Sequence, residues 1–440
     1  MTDLRPMELF GKTFDCECGK THAIEPREIV HDMRAMDALP SVCARATNGK
    51  RVAVIMDERT RFIAGHGAAR ILEAENRRVR EVVVPDPAPG KHPVCDDVTK
   101  EWLQGQCGET DLILAVGSGV LSDLGKWIAA ERDIPFVVFA TAASMNGYAS
   151  ANVAPTIQGV KSLVRGRAPY AVLTSPEIIA SAPNEMTAAG LGDILAKSVS
   201  SADWLLNHVL FGDFYCDRAA RLIEEIEPLY LQNPLALRTR EPEAVEALFT
   251  GLLLTGAAMT MAETSAPASG SEHMIGHALD MMASVDGADH DLHGRQVGIG
   301  TILASELYRR VLAVESPEFR TPTAEVDVKF WSKLGDAVAE RYAEKLPRLK
   351  AARSQLARGG AWDALRERFA PLVRPPEITR DCLKMAGAAY RAEDIGCDKE
   401  RLLKAFLHAH EIRARFTMLD LARLVGLMPD AAEEIVNEWA

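Results

Sequence analysis

From about residue 50 the chain alternates short β-branched, apolar runs with helical periodicity, and after about Ser181 that alternation ends. No other feature limits the possible folds as strongly. RVAVIMD, EVVVPD, DLILAVGSG and PFVVFAT read as buried parallel strands, each closed by a turn signal. Residues 61–75, 94–106 and 121–132 read as the helices between and beside them. This order predicts a doubly wound Rossmann-like layer, with ligands at the carboxyl ends of its strands. Residues 152–160 and 170–173 predict further strands, paired as a hairpin. Beyond Ser181, Ala-, Leu- and Met-rich stretches of helical period run to the end. Pro183-Asn184-Glu185 marks a helix start, 234–242 a break between long helices, and 374–379, with two prolines, a loop. The expectation is α/β plus all-α: an NAD(P)-binding α/β domain over 1–182 and a helical metal- and substrate-binding domain over 183–440.

Bulk properties remove some roles. At 440 residues the chain can bury two substantial cores. A formal net charge of −12 argues against nucleic acid, whose phosphates need a clustered basic surface. No segment approaches the length of a membrane span, and MTDLRPMELFGK lacks the apolar core of a signal peptide. Eight scattered cysteines then predict reduced thiols and a cytoplasmic location. Cys16-Glu17-Cys18-Gly19 with His22 has metal-ligand chemistry, but the spacing is tight and a fourth ligand is missing, so it reads as a turn in an N-terminal hairpin.

Four of the eleven histidines, His273, His277, His290 and His293, fall within 21 residues, and Asp193 lies upstream in GLGDILAK. Two histidines and a carboxylate from separate segments are an open donor set for zinc, nickel or iron(II). An i, i+4 histidine pair is equally a polar helix face, and Glu272 precedes His273 rather than following it as HExxH requires. AVGSGVLSDLGKW joins a strand to a helix. Gly117 and Gly119 would let backbone N–H groups approach a pyrophosphate, although tight β–α turns need glycine anyway. The run is neither GxGxxG nor a Walker A loop, since Lys126 lacks the GK[ST] context. Asp57 ends a strand, where it would accept bonds from ribose hydroxyls and lean the chain towards NAD, or simply cap the next helix. Thr141, Ser144 and Ser150 supply hydroxyl donors in FATAASMNGYAS.

CECGKTH, GSGVLSDLGK, TAASMNGYAS, GLGDILAK, PASGSEHMIGHALDM, HGRQVGIGT and IRARFTMLDLARLVG together resemble the sn-glycerol-1-phosphate dehydrogenase family, within the iron-containing alcohol dehydrogenase and dehydroquinate synthase-like superfamily. The resemblance spans nearly the whole chain. It implies a nucleotide domain, a helical domain and a metal in the cleft between. Asp193, His273 and His293 match the metal ligands. Gly119, Val120, Leu121, Ser122 and Asp123 match the dinucleotide loop, as do Thr141, Ala142, Ala143, Ser144 and Ser150. Asp193 and His277 match positions facing substrate, and His290 matches no role. The implied reaction interconverts dihydroxyacetone phosphate and sn-glycerol 1-phosphate with NAD(P) and one divalent metal. A homo-oligomer, dimer or larger, is also implied. Two departures stand out. Asn146 occupies a substrate-facing position usually held by Asp, which keeps another polyol or polyol phosphate open as substrate. Lys197 replaces a metal-binding His of related alcohol dehydrogenases, leaving three protein ligands and favouring zinc or nickel over iron. Lys161 and Arg295 are the candidate cations for the substrate's phosphate.

Overall fold

The computed structural model describes residues 6–289 and 291–440, so His290 lies outside the described residues. Two compact units emerge: residues 1–190 with 217–264, and residues 191–216 with 265–440.

The first unit is built on a six-stranded sheet. Its strands in chain order are β1 (Glu28–His31), β2 (Arg51–Asp57), β3 (Arg78–Val84), β4 (Leu112–Gly117), β5 (Phe136–Ala140) and β6 (Ala171–Thr174). They lie side by side as β1-β6-β5-β4-β2-β3, and every pairing is parallel. All residues of β4, β5 and β6 are buried, which is why these runs are continuously apolar rather than alternating. Helices α1 (Ala35–Ala46), α2 (His66–Ala74), α3 (Asp97–Cys107) and α4 (Gly119–Glu131) join the strands. The chain builds outwards from β2 to β3 and then returns across β2 to β4. Connections therefore diverge at the carboxyl ends of β2 and β4, where Asp57 and Gly117 sit; such a switch point is where open α/β sheets bind ligands.

Several expectations need correction. β1 was not anticipated, and the strand expected near 170–173 is not half of a hairpin. It lies inside the sheet, between β1 and β5. Residues 152–165 form short antiparallel pairs of their own. A short helix, Pro234–Arg238, occupies the expected break. Pro376 does not sit in a loop but opens helix Pro376–Ala386, since a first-turn proline costs no hydrogen bond.

Helices α5 (Asn184–Leu195), α6 (Lys197–Phe211), α7 (Pro242–Ala262), α8 (Ser271–Asp286), α9 (His293–Ala313), α10 (Gly335–Leu356) and α11 (Met418–Leu424) dominate the rest. The 21-residue α7 is long and apolar enough to cross a membrane, contrary to expectation. Most of it is buried, and it packs beside Asn146–Ala149, so its apolar surface belongs to the first unit's core. In the second unit α8 and α9 pack tightly on each other. A side chain at Gly300 of α9 would place its Cβ 2.4 Å from the Glu272 carbonyl of α8.

Candidate active site

In the second unit, three helices deliver three donors to one point. Asp193 lies in the last turn of α5, His273 in the first turn of α8, and His293 opens α9. One ligand atom from each of Asp193, His273 and His293 lies within 4.8 Å of the other two. Backbone proximity makes this possible: a Cβ on Gly192 would stand 2.0 Å from the Gly294 carbonyl. Asp193 and His273 are buried, and His293 is partly exposed. His273 Nε2 is 3.3 Å from Asp193 Oδ1, while its Nδ1 is 2.7 Å from Glu272 Oε1. Burial lowers the His273 pKa, but hydrogen bonds and charge from Asp193 and Glu272 outweigh it and hold the ring at about 9.

Glu272 has a second partner, the Gly270 N–H at 2.7 Å, which fixes its carboxylate beneath the first turn of α8. Asp203 of α6 anchors the same turn. Its Oδ2 accepts from Ser271 N–H at 2.6 Å, and its Oδ1 accepts from Met418 N–H at 2.9 Å and the Tyr308 hydroxyl at 2.6 Å. It thereby ties together the starts of α8 and α11. Burial and the neighbouring Glu272 charge push the Asp203 pKa up to about 7. His277 follows one turn after His273 and stacks on His293, with ring centroids 5.1 Å apart. Arg413 Nη2 is 3.4 Å from His277 Nδ1. Burial, with Arg415 and Arg341 nearby, lowers the Arg413 pKa to about 10. Lys197 Nζ instead donates to Ser201 Oγ at 2.9 Å and to the Pro267 carbonyl at 3.2 Å.

One carboxylate and two imidazoles, with a carboxylate behind one imidazole, fit a divalent transition-metal ion. Lys197 adds no donor to the set, because its ammonium is held by a hydroxyl and a carbonyl.

In the first unit, Gly117 and Gly119 form the turn from β4 into α4. A Cβ at Gly117 would collide with Leu121 Cδ1 at 2.3 Å. Gly125, farther along α4, faces the sheet, where a Cβ would meet Phe136 at 2.7 Å and Ile55 at 2.8 Å. It performs the packing task of the third glycine in a dinucleotide fingerprint, displaced along the helix. Val120, Leu121, Ser122 and Asp123 follow in the first turns of α4, and Ser122 is buried. The Asp123 carboxylate accepts from Ala154 N–H at 3.1 Å and from buried Lys126 at 3.3 Å. Lys126 also donates to the Gly147 and Asn152 carbonyls at 2.8 and 2.9 Å, so it holds the loop after β5 rather than a phosphate.

That loop begins where Thr141 N–H donates to the Gly117 carbonyl at 3.2 Å. Thr141, Ala142, Ala143 and Ser144 are buried beside it. A Cβ at Gly190 would overlap the Ala143 carbonyl at 1.9 Å. Ser144 Oγ is 3.4 Å from the Tyr148 hydroxyl, and Ser150 Oγ accepts from Asn152 N–H at 3.1 Å. Asn146 opens the short helix Asn146–Ala149, whose start presses on α7 at Gly256. Asp57 caps the turn after β2: Oδ1 accepts from Arg59 N–H at 2.9 Å and Thr60 N–H at 2.8 Å. Its Oδ2 is 3.0 Å from the Arg59 guanidinium, which also pairs with Asp86 at 2.7 Å.

Of the candidate phosphate cations, Arg295 donates to Asp291 at 3.0 Å and to the Asp394 carbonyl. Lys161 lies in the two-residue strand Val160–Lys161. Glu272, Asp203 and Arg413 escaped the sequence reading. Glu272 was visible only as a misplaced HExxH glutamate, Arg413 only within IRARFTMLDLARLVG, and Asp203 carried no signal at all.

The family description of iron-containing alcohol dehydrogenases matches residues 30–183. The chain belongs to the sn-glycerol-1-phosphate dehydrogenase family. It is 28% identical over 415 residues to glycerol-1-phosphate dehydrogenase (NAD(P)+) of Bacillus licheniformis, covering 94% of this chain and 93% of that protein. It is 33% identical over 288 residues to the Pyrococcus furiosus protein of the same name, covering 65% and 80%. A probable glycerol dehydrogenase from Sinorhizobium meliloti has a similar structure, with TM-score 0.60 at 17% identity, covering 95% of this chain and 99% of that one. NADH-dependent butanol dehydrogenase A from Thermotoga maritima aligns with TM-score 0.59 at 16% identity, covering 94% and 97%. At such identities these two structures speak for the fold.

Proposed function

We propose that this chain catalyses reversible hydride transfer between NAD(P)H and dihydroxyacetone phosphate, giving sn-glycerol 1-phosphate, with a divalent ion held by Asp193, His273 and His293. The observation that carries the reading is the convergence of those three donors in a chain that aligns along its length with glycerol-1-phosphate dehydrogenases. When bound, the ion supplies Lewis acidity towards the carbonyl and the neighbouring hydroxyl of the substrate.

The protein's own groups do the rest. Glu272 accepts the Nδ1 proton of His273, which leaves Nε2 as the donor facing Asp193. A guanidinium can only donate, so His277 meets Arg413 with its Nδ1 lone pair and carries its ring proton on Nε2. That tautomer suits His277 to orienting a substrate oxygen. Arg413, whose positive charge lies beside His277, joins Lys161 and Arg295 as a candidate for the substrate's phosphate. The Gly117–Gly119 turn, the start of α4, and Thr141, Ser144 and Ser150 are proposed to hold the dinucleotide. Arg59 neutralises part of the Asp57 charge at the tip of β2, which weakens the lean towards NAD and suits use of either nucleotide. Asn146 is proposed to bond a substrate hydroxyl without adding charge.

The test is NADH and NADPH oxidation with dihydroxyacetone phosphate, on protein stripped and reloaded separately with zinc and nickel. Metal-dependent turnover to sn-glycerol 1-phosphate is the expected result. Tight NADH binding without turnover would overturn it and shift the substrate, through Asn146, to another polyol or polyol phosphate.

A further inference from the structure

The N-terminal hairpin carries a donor cluster that the dehydrogenase chemistry does not use. Its strands, Thr13–Asp15 and Thr21–Ala23, pair antiparallel with Phe14 opposite His22. The turn between them closes with Gly19 N–H donating to the Cys16 carbonyl, and Cys16 N–H to the Lys20 carbonyl, each at 2.9 Å. Gly19 takes the left-handed conformation, φ +83°, that such a tight reversal needs. The turn is thus the one expected from the sequence, but it does more than reverse the chain. It gathers Cys16 Sγ, Cys18 Sγ and a ring nitrogen of His22 so that all lie within 4.8 Å of one another. Cys18 Sγ is 3.2 Å from His22 Nε2. His22 is only 4% exposed, whereas both cysteines remain partly accessible.

We propose that Cys16, Cys18 and His22 form three corners of a tetrahedral site for a soft divalent cation, zinc by preference, distinct from the Asp193 centre and serving to pin the hairpin. Thiolate and imidazole donors select zinc over magnesium or calcium. Bonds of about 2.3 Å to sulfur and about 2.0 Å to nitrogen put tetrahedral donors about 3.5–3.8 Å apart, a small adjustment from the present spacing. One-residue spacing between the cysteines would be awkward on a regular strand. Here the second thiol stands on a turn and is carried back towards His22. The fourth corner belongs to another thiol of this chain or to water.

The proposal is independent of the substrate assignment and is read by spectroscopy and metal content. The full-length protein is stripped, kept reduced, and titrated with cobalt(II). A thiolate-to-cobalt charge-transfer absorption is expected, saturating by two equivalents per chain, since the Asp193 centre also takes the ion, and at one equivalent in His273→Ala. That absorption should persist in His273→Ala, whose missing ligand belongs to the other centre, and disappear in Cys18→Ser. Zinc content of the protein as isolated should fall by one equivalent in Cys18→Ser, with the Asp193 centre still loaded. His22→Ala, which keeps both thiols, should weaken cobalt binding at least tenfold if Cys18→Ser does not fold. Substituting the other six cysteines by serine one at a time identifies the fourth donor as a thiol, or as water if none matters. The wild-type titration needs no variant: absence of the sulfur band there would overturn the proposal. So would a band that survives Cys18→Ser, or alkylation of Cys16 and Cys18 at the same rate with and without zinc.

Discussion

At the scale of single residues, Glu272 is the most instructive. It sits one position before His273 in sequence, and its carboxylate turns back to reach Nδ1 of that ring. Glu272→Gln should keep the fold and lower metal affinity about 10–100-fold, because outer carboxylates orient a ligand histidine and raise its basicity. Competition against a chelator measures this, and an unchanged affinity would show that the carboxylate is only structural. Asp193, His273 and His293 stood out in the sequence because their residue types and crowding are unusual. Glu272 did not, because nothing in its neighbours' identity says that the first turn of α8 points it back at Nδ1. Asp57 shows the reverse difficulty. It was legible as a strand-tip carboxylate, but only the structure displays both oxygens occupied by a helix cap and by Arg59.

Among the elements, the helices that deliver the donors approach one another backbone to backbone. Gly192 of α5 lies against Gly294 of α9, and Gly300 of α9 lies against Glu272 of α8. Gly192→Ala inserts a methyl where a carbonyl already stands. Forced overpacking of this kind costs about 1–3 kcal/mol, and here it falls between the helices bearing Asp193 and His293. The expected result is a modest loss of melting temperature with a larger loss of metal affinity. Equal affinity in this variant would mean that α5 can shift without moving Asp193. Strands β2 to β5 were readable because buried parallel strands are continuously apolar and end in turn residues. β1 was not, since four half-buried residues carry no such run. The strand at 170–173 was recognised without its place, because pairing with β1 and β5 is a long-range choice that local pattern does not encode.

The whole molecule responds to pH through a carboxylate far along the chain from the ligands it supports. Asp203 has an ordinary pKa of about 4 when unfolded and about 7 when buried in the fold. Between those values the native state keeps a proton that the unfolded state has lost. Stability from this group therefore falls as pH rises towards about 7, by up to about 1.4 kcal/mol per unit, and levels off above it. Urea unfolding of wild type and Asp203→Asn at pH 5, 6, 7 and 8 is the measurement. The wild type should lose stability relative to the variant from pH 5 to 7, then run parallel to it. A constant difference across the range would place the proton elsewhere. The long apolar α7 belongs to this scale too: its length and composition would suit a membrane span, which the sequence reading did not expect, and most of it is buried within its unit.

Local sequence was enough for the class of fold, the glycine turn after β4 and the three candidate ligands, because each depends on short-range periodicity or on rare residue types at close spacing. Tertiary structure alone decided sheet order, the Glu272 and Asp203 supports, the tethering role of Lys126, and the gathering of Cys16, Cys18 and His22 around one point. Those features depend on the direction of side chains and on glycine-permitted contact between distant segments. Neither is written in the local run of residues, since the same letters would serve as a polar helix face, a solvated charge or a plain turn until packing brings their partners within bonding distance.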